Sequence, residues 1–313
     1  MSSPRLTMAL PVFNGERFLC AAVDSLLAQT FTDFELIICD NGSTDDTPRI
    51  AESYARADAR VRYLRLPDNR GSAFSHSIGV REARGEYFKW TSDDDLYAPT
   101  LLQRCVDILD ANPDVVLAHS WTAFIDENGE ILDVPAYGIE TDARDAPTRF
   151  RSLLYAPGGD DIYGVVRASA FRKFMPYPSH YHADRTFVSE LALEGRFEQV
   201  PEPLYFRREH PGRSERQGLR GRSIRLDPRR QSWRHPAVRL VAEYLFRYLT
   251  AIRRAPISER NKRRCYCDLM IWMLRHGNPF RSMAWYASQI ATGSAESASV
   301  EAFTSPFSGV KSQ

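Results

Sequence analysis

Short apolar runs alternate along the chain with segments whose apolar residues recur every three to four positions. Leu6–Phe13 (LTMALPVF) is a near-continuous apolar run closed by Asn14-Gly15, and it predicts a strand covered on both faces. In Glu16–Gln29, the residues Phe18, Leu19, Ala22, Val23, Leu26 and Leu27 fall at helical spacing. A second strand is expected at Phe34–Cys39, stopped by Asp40-Asn41-Gly42-Ser43. Thr47-Pro48 reads as an N-cap followed by proline at the first helical position, opening a helix to about Ala57. Strands at Val61–Leu66, Glu86–Thr91 and Val115–Ser120 then alternate with helices at Phe74–Ala83 and Pro99–Ala111. This alternation over short connections predicts an α/β fold with a mostly parallel sheet flanked by helices.

Beyond residue 120 the pattern is mixed. Asn128-Gly129 between two apolar stretches predicts a hairpin turn, and Ile162–Arg167 and Gln199–Arg207 read as strands flanking a helix from about Arg185 to Glu194. From Pro211 to about Arg234, Gly, Arg and Ser dominate, so residues 213–235 are expected to be a basic linker or mobile loop after a catalytic domain at 1–212. Val238, Val241, Leu245, Tyr248, Leu249 and Ile252 form a helical stripe, and a second helix is expected at Arg260–Arg275. Together they make a helical C-terminal extension over 236–292. The Ser- and Ala-rich tail at 293–313 is expected to be disordered.

Charge sharpens this division. The formal net charge is +1, yet residues 1–206 hold 20 Lys+Arg against 32 Asp+Glu, while residues 207–264 hold 18 against 5. A block this basic points to an anionic partner, such as a diphosphate or a lipid surface, or else to a solvated arginine face. The five cysteines are scattered and fit reduced thiols in a cytoplasm. No apolar leader and no run of 18 apolar residues occurs, so neither a secretory signal nor a spanning helix is expected.

The polar clusters fall after strands, where ligands bind in open α/β sheets. Ser92-Asp93-Asp94-Asp95 places three carboxylates side by side, an arrangement that is costly without a cation and suited to Mg2+ or Mn2+. Read alone, it is equally a solvated acidic turn. Asp40–Asp46 stands at the same sheet edge, where a carboxylate can accept the imino N–H of a nucleobase, although Asx-turn chemistry also explains it.

These strings together resemble the family 2 glycosyltransferases of the GT-A fold. The resemblance runs through Leu10-Pro11-Val12-Phe13-Asn14-Gly15-Glu16, then Leu26–Phe31 and Phe34–Asp45. It continues in Asp68-Asn69-Arg70-Gly71, Gly85-Glu86-Tyr87 and the acidic triplet with Pro99, and covers about residues 5–212. It implies an inverting transfer of a sugar from a nucleotide diphosphate (UDP-, dTDP- or GDP-linked) to a glycan or glycolipid hydroxyl, with Mn2+ or Mg2+. Pro11, Phe13, Asn14, Glu16, Asp40, Arg70, Asp93 and Asp94 would bind the nucleotide sugar. Asp94 and His210 would bind the metal, and Asp184 would be the base. Asp160 and Asp161 stand in reserve. Ser92 departs from the family, whose motif most often begins there with aspartate.

Other classes fit less well. No GxGxxG or P-loop follows the first strand, and no Gln-x-x-Arg-Trp marks a processive synthase. A metal-dependent phosphoesterase and a non-catalytic nucleotide-sugar or glycan-binding module remain the alternatives. Nucleic acid is not an expected partner. For location, the expectation is a cytoplasmic protein, with the basic C-terminal helices either packed on the catalytic domain or attached peripherally to the inner membrane face.

Overall fold

The computed structural model of the chain describes residues 3–156, 160–180, 182–212, 219–232 and 236–275. The chain opens with β1 (Leu6–Val12), α1 (Leu19–Leu27), β2 (Phe34–Asp40), α2 (Thr47–Ala57), β3 (Val61–Arg65), α3 (Ser72–Glu82) and β4 (Tyr87–Trp90). It continues through β5 (Leu96–Tyr97), α4 (Leu101–Ala111), β6 (Val115–Ile125), β7 (Ile131–Asp133), α5 (Ala146–Tyr155) and β8 (Val165–Arg167). α6 (Ala168–Phe171), α7 (Ala183–Glu194) and β9 (Arg196–Arg208) follow, then α8 (Leu219–Leu226), α9 (Pro236–Arg254) and α10 (Glu259–Arg275).

The strands form one sheet in the order β3-β2-β1-β4-β8-β6-β9-β5, with β7 beside β6. β3, β2, β1 and β4 run parallel, as do β6 and β9, while β8, β5 and β7 pair antiparallel. Both faces of the sheet are covered, which is why β1 and β2 are apolar at most positions. Leu6, Met8, Leu10 and Val12 join the core under α1 and α4. Ala9 joins Phe88, Trp90, Phe171 and Phe187 on the other face. β1 lies between β2 and β4, so the chain moves one way to β2 and the other to β4. The crevice beyond the carboxyl ends of β1 and β4 is therefore the expected ligand position.

Three details differ from the sequence reading. Thr47 does not cap α2: Asp46 occupies the N-cap without a side-chain bond, and the Thr47 hydroxyl accepts the Gly15 N–H at 2.9 Å. A loop across the cleft mouth outcompetes the helix end for that hydroxyl. Part of the stretch expected to be a linker is ordered into α8 and a 3-10 turn at Pro228–Ser232. A helix not assigned from the sequence, α5, forms at Ala146–Tyr155, where Asp145 caps it by accepting the Thr148 N–H. Residues 213–218, 233–235 and everything after 275 lie outside the described residues, including the tail expected to be disordered.

Of the expected C-terminal stripe, Tyr248 and Ile252 are buried and Leu245 partly so, whereas Leu249 is exposed; the side chains of Val238 and Val241 lie outside what is described. Tyr244, Tyr248, Ala251 and Ile252 of α9 and Leu269 and Trp272 of α10 form a core with Phe150 and Leu154 of α5 and Leu193 of α7. Arg247 pairs with buried Glu190 of α7 at 2.6 Å, and Arg264 pairs with Asp145 at 2.8 Å. No described helix is long and apolar enough to cross a membrane.

Candidate active site

A cleft of about 990 Å³ opens at that crevice. The residues after β1 form one lip. Pro11, Phe13, Asn14 and Gly15 line the cleft, and Phe13 is 43 % exposed, an aromatic face left open to solvent. The lip is laced to the loop after β2: Asn14 N–H donates to Ser43 Oγ (2.9 Å), and Asn14 Oδ1 accepts the Thr44 N–H (2.9 Å). Glu16 is turned into the same lacing, accepting the Asp46 N–H at 2.8 Å, and does not line the cleft.

Asp40 lies beneath the floor, fully buried. Its oxygens accept the Ser43 N–H at 2.8 Å and the Tyr63 hydroxyl at 2.6 Å. Its neighbour Asn41 reaches the cleft instead, bonded to Asn69 Oδ1 (2.9 Å) and accepting the Arg70 N–H (3.0 Å). The Arg70 guanidinium lies 3.7 Å over the Phe74 ring, and Arg70 is not among the lining residues.

The acidic triplet after β4 divides. Asp93 and Asp94 line the cleft, whereas Asp95 is fully buried, accepting the Arg208 N–H at 2.9 Å and the Tyr205 hydroxyl. Asp95 thus ties the motif to β9. Burial and the Asp94 charge push the Asp93 carboxyl well above the ordinary carboxylate range. Gly15 permits this approach, since a Cβ there would sit 2.2 Å from Asp93 Oδ2. Ser92 donates its hydroxyl to Asp94 Oδ1, so the residue in the usual aspartate position orients the next carboxylate.

His210, 116 residues further along, brings Nε2 to 2.9 Å from Asp94 Oδ2. Its Nδ1 stands 3.2 Å from the Gly212 nitrogen; with the ring proton on Nδ1, Nε2 would be free to hold a cation beside Asp94. Arg208 fixes the Asp94 backbone from behind, donating to its carbonyl at 2.8 Å. A carboxylate oxygen and an imidazole nitrogen side by side suit Mn2+ or Mg2+. Among the described residues no group of three or more His, Cys, Asp or Glu cages an ion. The pair therefore fits a cation whose remaining ligands come from substrate phosphates and water.

Asp184 lies in the first turn of α7, whose N-cap is His182 in the left-handed conformation (φ 53°). The Arg185 N–H donates to its Oδ1 at 2.9 Å. Asp184 does not line the cleft. Tyr177, whose hydroxyl feels the Asp184 charge, stacks at 5.1 Å on His76, which does line it. Asp160 is paired with Arg207 at 2.7 Å, and Asp161 is buried 3.6 Å from His119.

Sequence reasoning missed the α3 wall. Ser72, Ser75 and His76 all line the cleft at helical spacing, a polar stripe in an otherwise mixed segment. Burial lowers His76 to about 4, so the ring is neutral, with Nδ1 held 2.7 Å from the Ser72 carbonyl. Arg225 of α8, also on the lining, carried no distinguishing signal within its arginine-rich stretch.

The sequence and the fold have counterparts among known proteins. An uncharacterized glycosyltransferase of Rickettsia typhi is 37% identical over 117 residues, which cover 37% of this chain and 36% of that one. The match thus spans about a third of that relative's length. The crystal structure of S. aureus TarS 1–349 in complex with UDP-GlcNAc superposes with a TM-score of 0.63 at 17% identity, over 86% of this chain and 72% of that one. The mannosyltransferase PcManGT from Pyrobaculum calidifontis, in complex with GDP-Man and Mn2+, gives 0.57 at 17% identity over 96% and 78%. These two likenesses establish the GT-A fold. The model of glycosyl transferase family 2 matches residues 7–177, more than half of the sequence, and the chain belongs to that family.

Proposed function

We propose that the protein transfers a sugar from a nucleotide-diphosphate donor to a glycan or glycolipid hydroxyl with inversion, in the assembly of cell-surface polysaccharide or glycolipid. The observation that carries this reading is the meeting of Asp94 and His210 at 2.9 Å, in a cleft that also holds the open Phe13 ring and Asp93. Phe13 stacks on the base, with Pro11 and Asn14 beside it. Asp40, expected to bind the base, is buried away from it and serves instead to hold the loop that presents Asn41. Glu16 holds that loop to the lip, and the Arg70 backbone is fixed by Asn41. Asp93 meets the ribose side of the donor.

Asp94 and His210 would hold Mn2+ or Mg2+, and a bound cation offsets the charge that grows on the leaving diphosphate. Asp184 takes the acceptor proton as the acceptor oxygen attacks the anomeric carbon opposite the diphosphate. Its place in the first turn of α7, with the Arg185 N–H donating to Oδ1, sets the carboxylate at the positive end of the helix. The two solved neighbours are in complex with UDP-GlcNAc and GDP-Man, so donors of both bases belong in the test.

A thermal-shift screen of UDP-, dTDP- and GDP-sugars with and without Mn2+ checks the reading. One donor raises the melting temperature, and Mn2+ enlarges the shift. NMR of the product then shows an inverted anomer. Donor binding without turnover on any acceptor supports a binding module, and release of phosphate without transfer supports a phosphoesterase.

For location, the proposal is a cytoplasmic protein touching the inner membrane face through α9 and α10. Phe246 (70 % exposed) and Leu274 (77 % exposed) face solvent, as do Arg253, Arg254 and Arg263 of the same helical pair. Salt-sensitive pelleting with anionic but not neutral vesicles, lost in Phe246→Ser/Leu274→Ser, is the expected result. No pelleting at low salt removes the membrane contact.

A further inference from the structure

The basic residues nearest the metal pair are already engaged. Arg207 is bound to Asp160 at 2.7 Å. Arg208 donates to the carbonyls of Asp94 (2.8 Å), Glu127 (2.7 Å) and Asp126 (3.1 Å). Arg17 lines the cleft but grips Glu127 with two bonds of 3.1 and 2.8 Å. Arg225 also lines the cleft, is exposed, and makes no hydrogen bond or ion pair among the described residues.

The segment carrying Arg225 is pinned at two points just after it. On the nucleotide side it presses on Gly71 (φ +89°), where a Cβ would lie 2.4 Å from the Leu226 carbonyl oxygen and 2.8 Å from Pro228 Cδ. Only glycine accepts both that conformation and that contact. On the α7 side, Arg230 is 6 % exposed and donates to Ser179 Oγ at 2.7 Å and to Glu243 of α9 at 2.8 Å. Ahead of these pins in the chain, Gly221, Ile224 and Arg225 face the cleft. The Arg225 charge reaches His76 on the α3 wall, disfavouring its protonation.

We propose that Arg225 is a donor-site residue that grips the diphosphate and stabilises it as it leaves. The inference rests on the glycosyl-transfer reading above. In that step the bond from the anomeric carbon to the β-phosphate oxygen breaks, and its electron pair stays on that oxygen. The acceptor oxygen bonds to the anomeric carbon, and its proton passes to Asp184. The diphosphate gains one negative charge, so a guanidinium beside it binds the departing group more strongly than the intact donor. The planar fork of arginine suits two phosphate oxygens at once.

Isothermal titration with UDP, GDP and dTDP, each beside its monophosphate, with Mg2+ and again in EDTA, tests this. For whichever diphosphate binds the natural protein, Arg225→Ala raises Kd about 10–100-fold and leaves the monophosphate within about 3-fold. Arg225→Lys falls between. Arg230→Ala, which frees the segment from Ser179 and Glu243, gives the same selective loss to a smaller degree. The melting temperature of Arg225→Ala stays within about 1 °C of the natural protein, as for an exposed side chain. An unchanged diphosphate Kd, or equal weakening of monophosphate and diphosphate, overturns the role of Arg225. A natural protein that binds none of the three diphosphates overturns the glycosyl-transfer reading itself.

Discussion

The loops after β1 and β2 hold each other through backbone amides and short side chains: Asn14 to Ser43 and Thr44, Gly15 to Thr47, Glu16 to Asp45 and Asp46. The opposite wall is built from long side chains that arrive from the far end of the chain. His210 follows β9, and Arg225 rides on α8. The first wall is a rigid mould whose shape is set by turns. The second is a set of charges whose placement depends on tertiary pins such as Asp95–Arg208 and Arg230–Ser179. We read the first as the wall that selects the nucleotide and the second as the wall that handles the charge of transfer.

Substitutions can break that division. Asp94→Ala removes the residue at which the walls meet, and turnover should fall at least ~10³-fold with an unchanged circular dichroism spectrum. Unchanged turnover would sink the metal assignment. Asp184→Asn, outside both walls, should keep donor affinity while kcat falls about 100-fold or more. A retained anomer in the product would contradict the single-base mechanism. His210→Ala should weaken metal binding by about 10–100-fold, with activity recovered at higher Mn2+, because the mould still holds the nucleotide.

Smaller effects sharpen the contrast within single motifs. Asp95→Ala, one residue from the proposed metal ligand, should act on stability. Stranding the Tyr205 hydroxyl and Arg208 N–H should cost about 3 kcal/mol in urea unfolding. A stable but inactive Asp95→Ala would move that residue into the site. His76 should give the smallest effect. Its pKa in the fold, about 4, is below the usual 6.5, so its contribution is complete above pH 6.5 and is lost as pH falls toward 4. Melting temperature across that window should drop by roughly 5 °C more than in His76→Asn.

What could be read from the sequence follows the same division. β1 and β2 carry near-continuous apolar runs, and their turns are spelled by Asn14-Gly15 and Asp40-Asn41-Gly42. The positions of Phe13, Asn14, Asp93 and Asp94 in the cleft follow from strand ends alone. Which way a side chain turns at those ends does not. Asp40 and Glu16 are drawn into turn and lacing bonds, and Asp95 into the core, because a buried N–H or hydroxyl must find an acceptor. Nor does spacing reveal that Arg207 and Arg208 are engaged by local acceptors while Arg225 lies open. That depends on how β9 and α8 pack.

The central claim is that Asp94 and His210 share one cation with the diphosphate. It is tested most directly by electron spin-echo spectroscopy of Mn2+ bound with the preferred nucleoside diphosphate to protein labelled with 15N-histidine. The account predicts a directly bonded 15N coupling that disappears in His210→Ala, with Mn2+ affinity reduced in both His210→Ala and Asp94→Ala. Tight Mn2+ binding with no nitrogen coupling, unchanged in either variant, would contradict it.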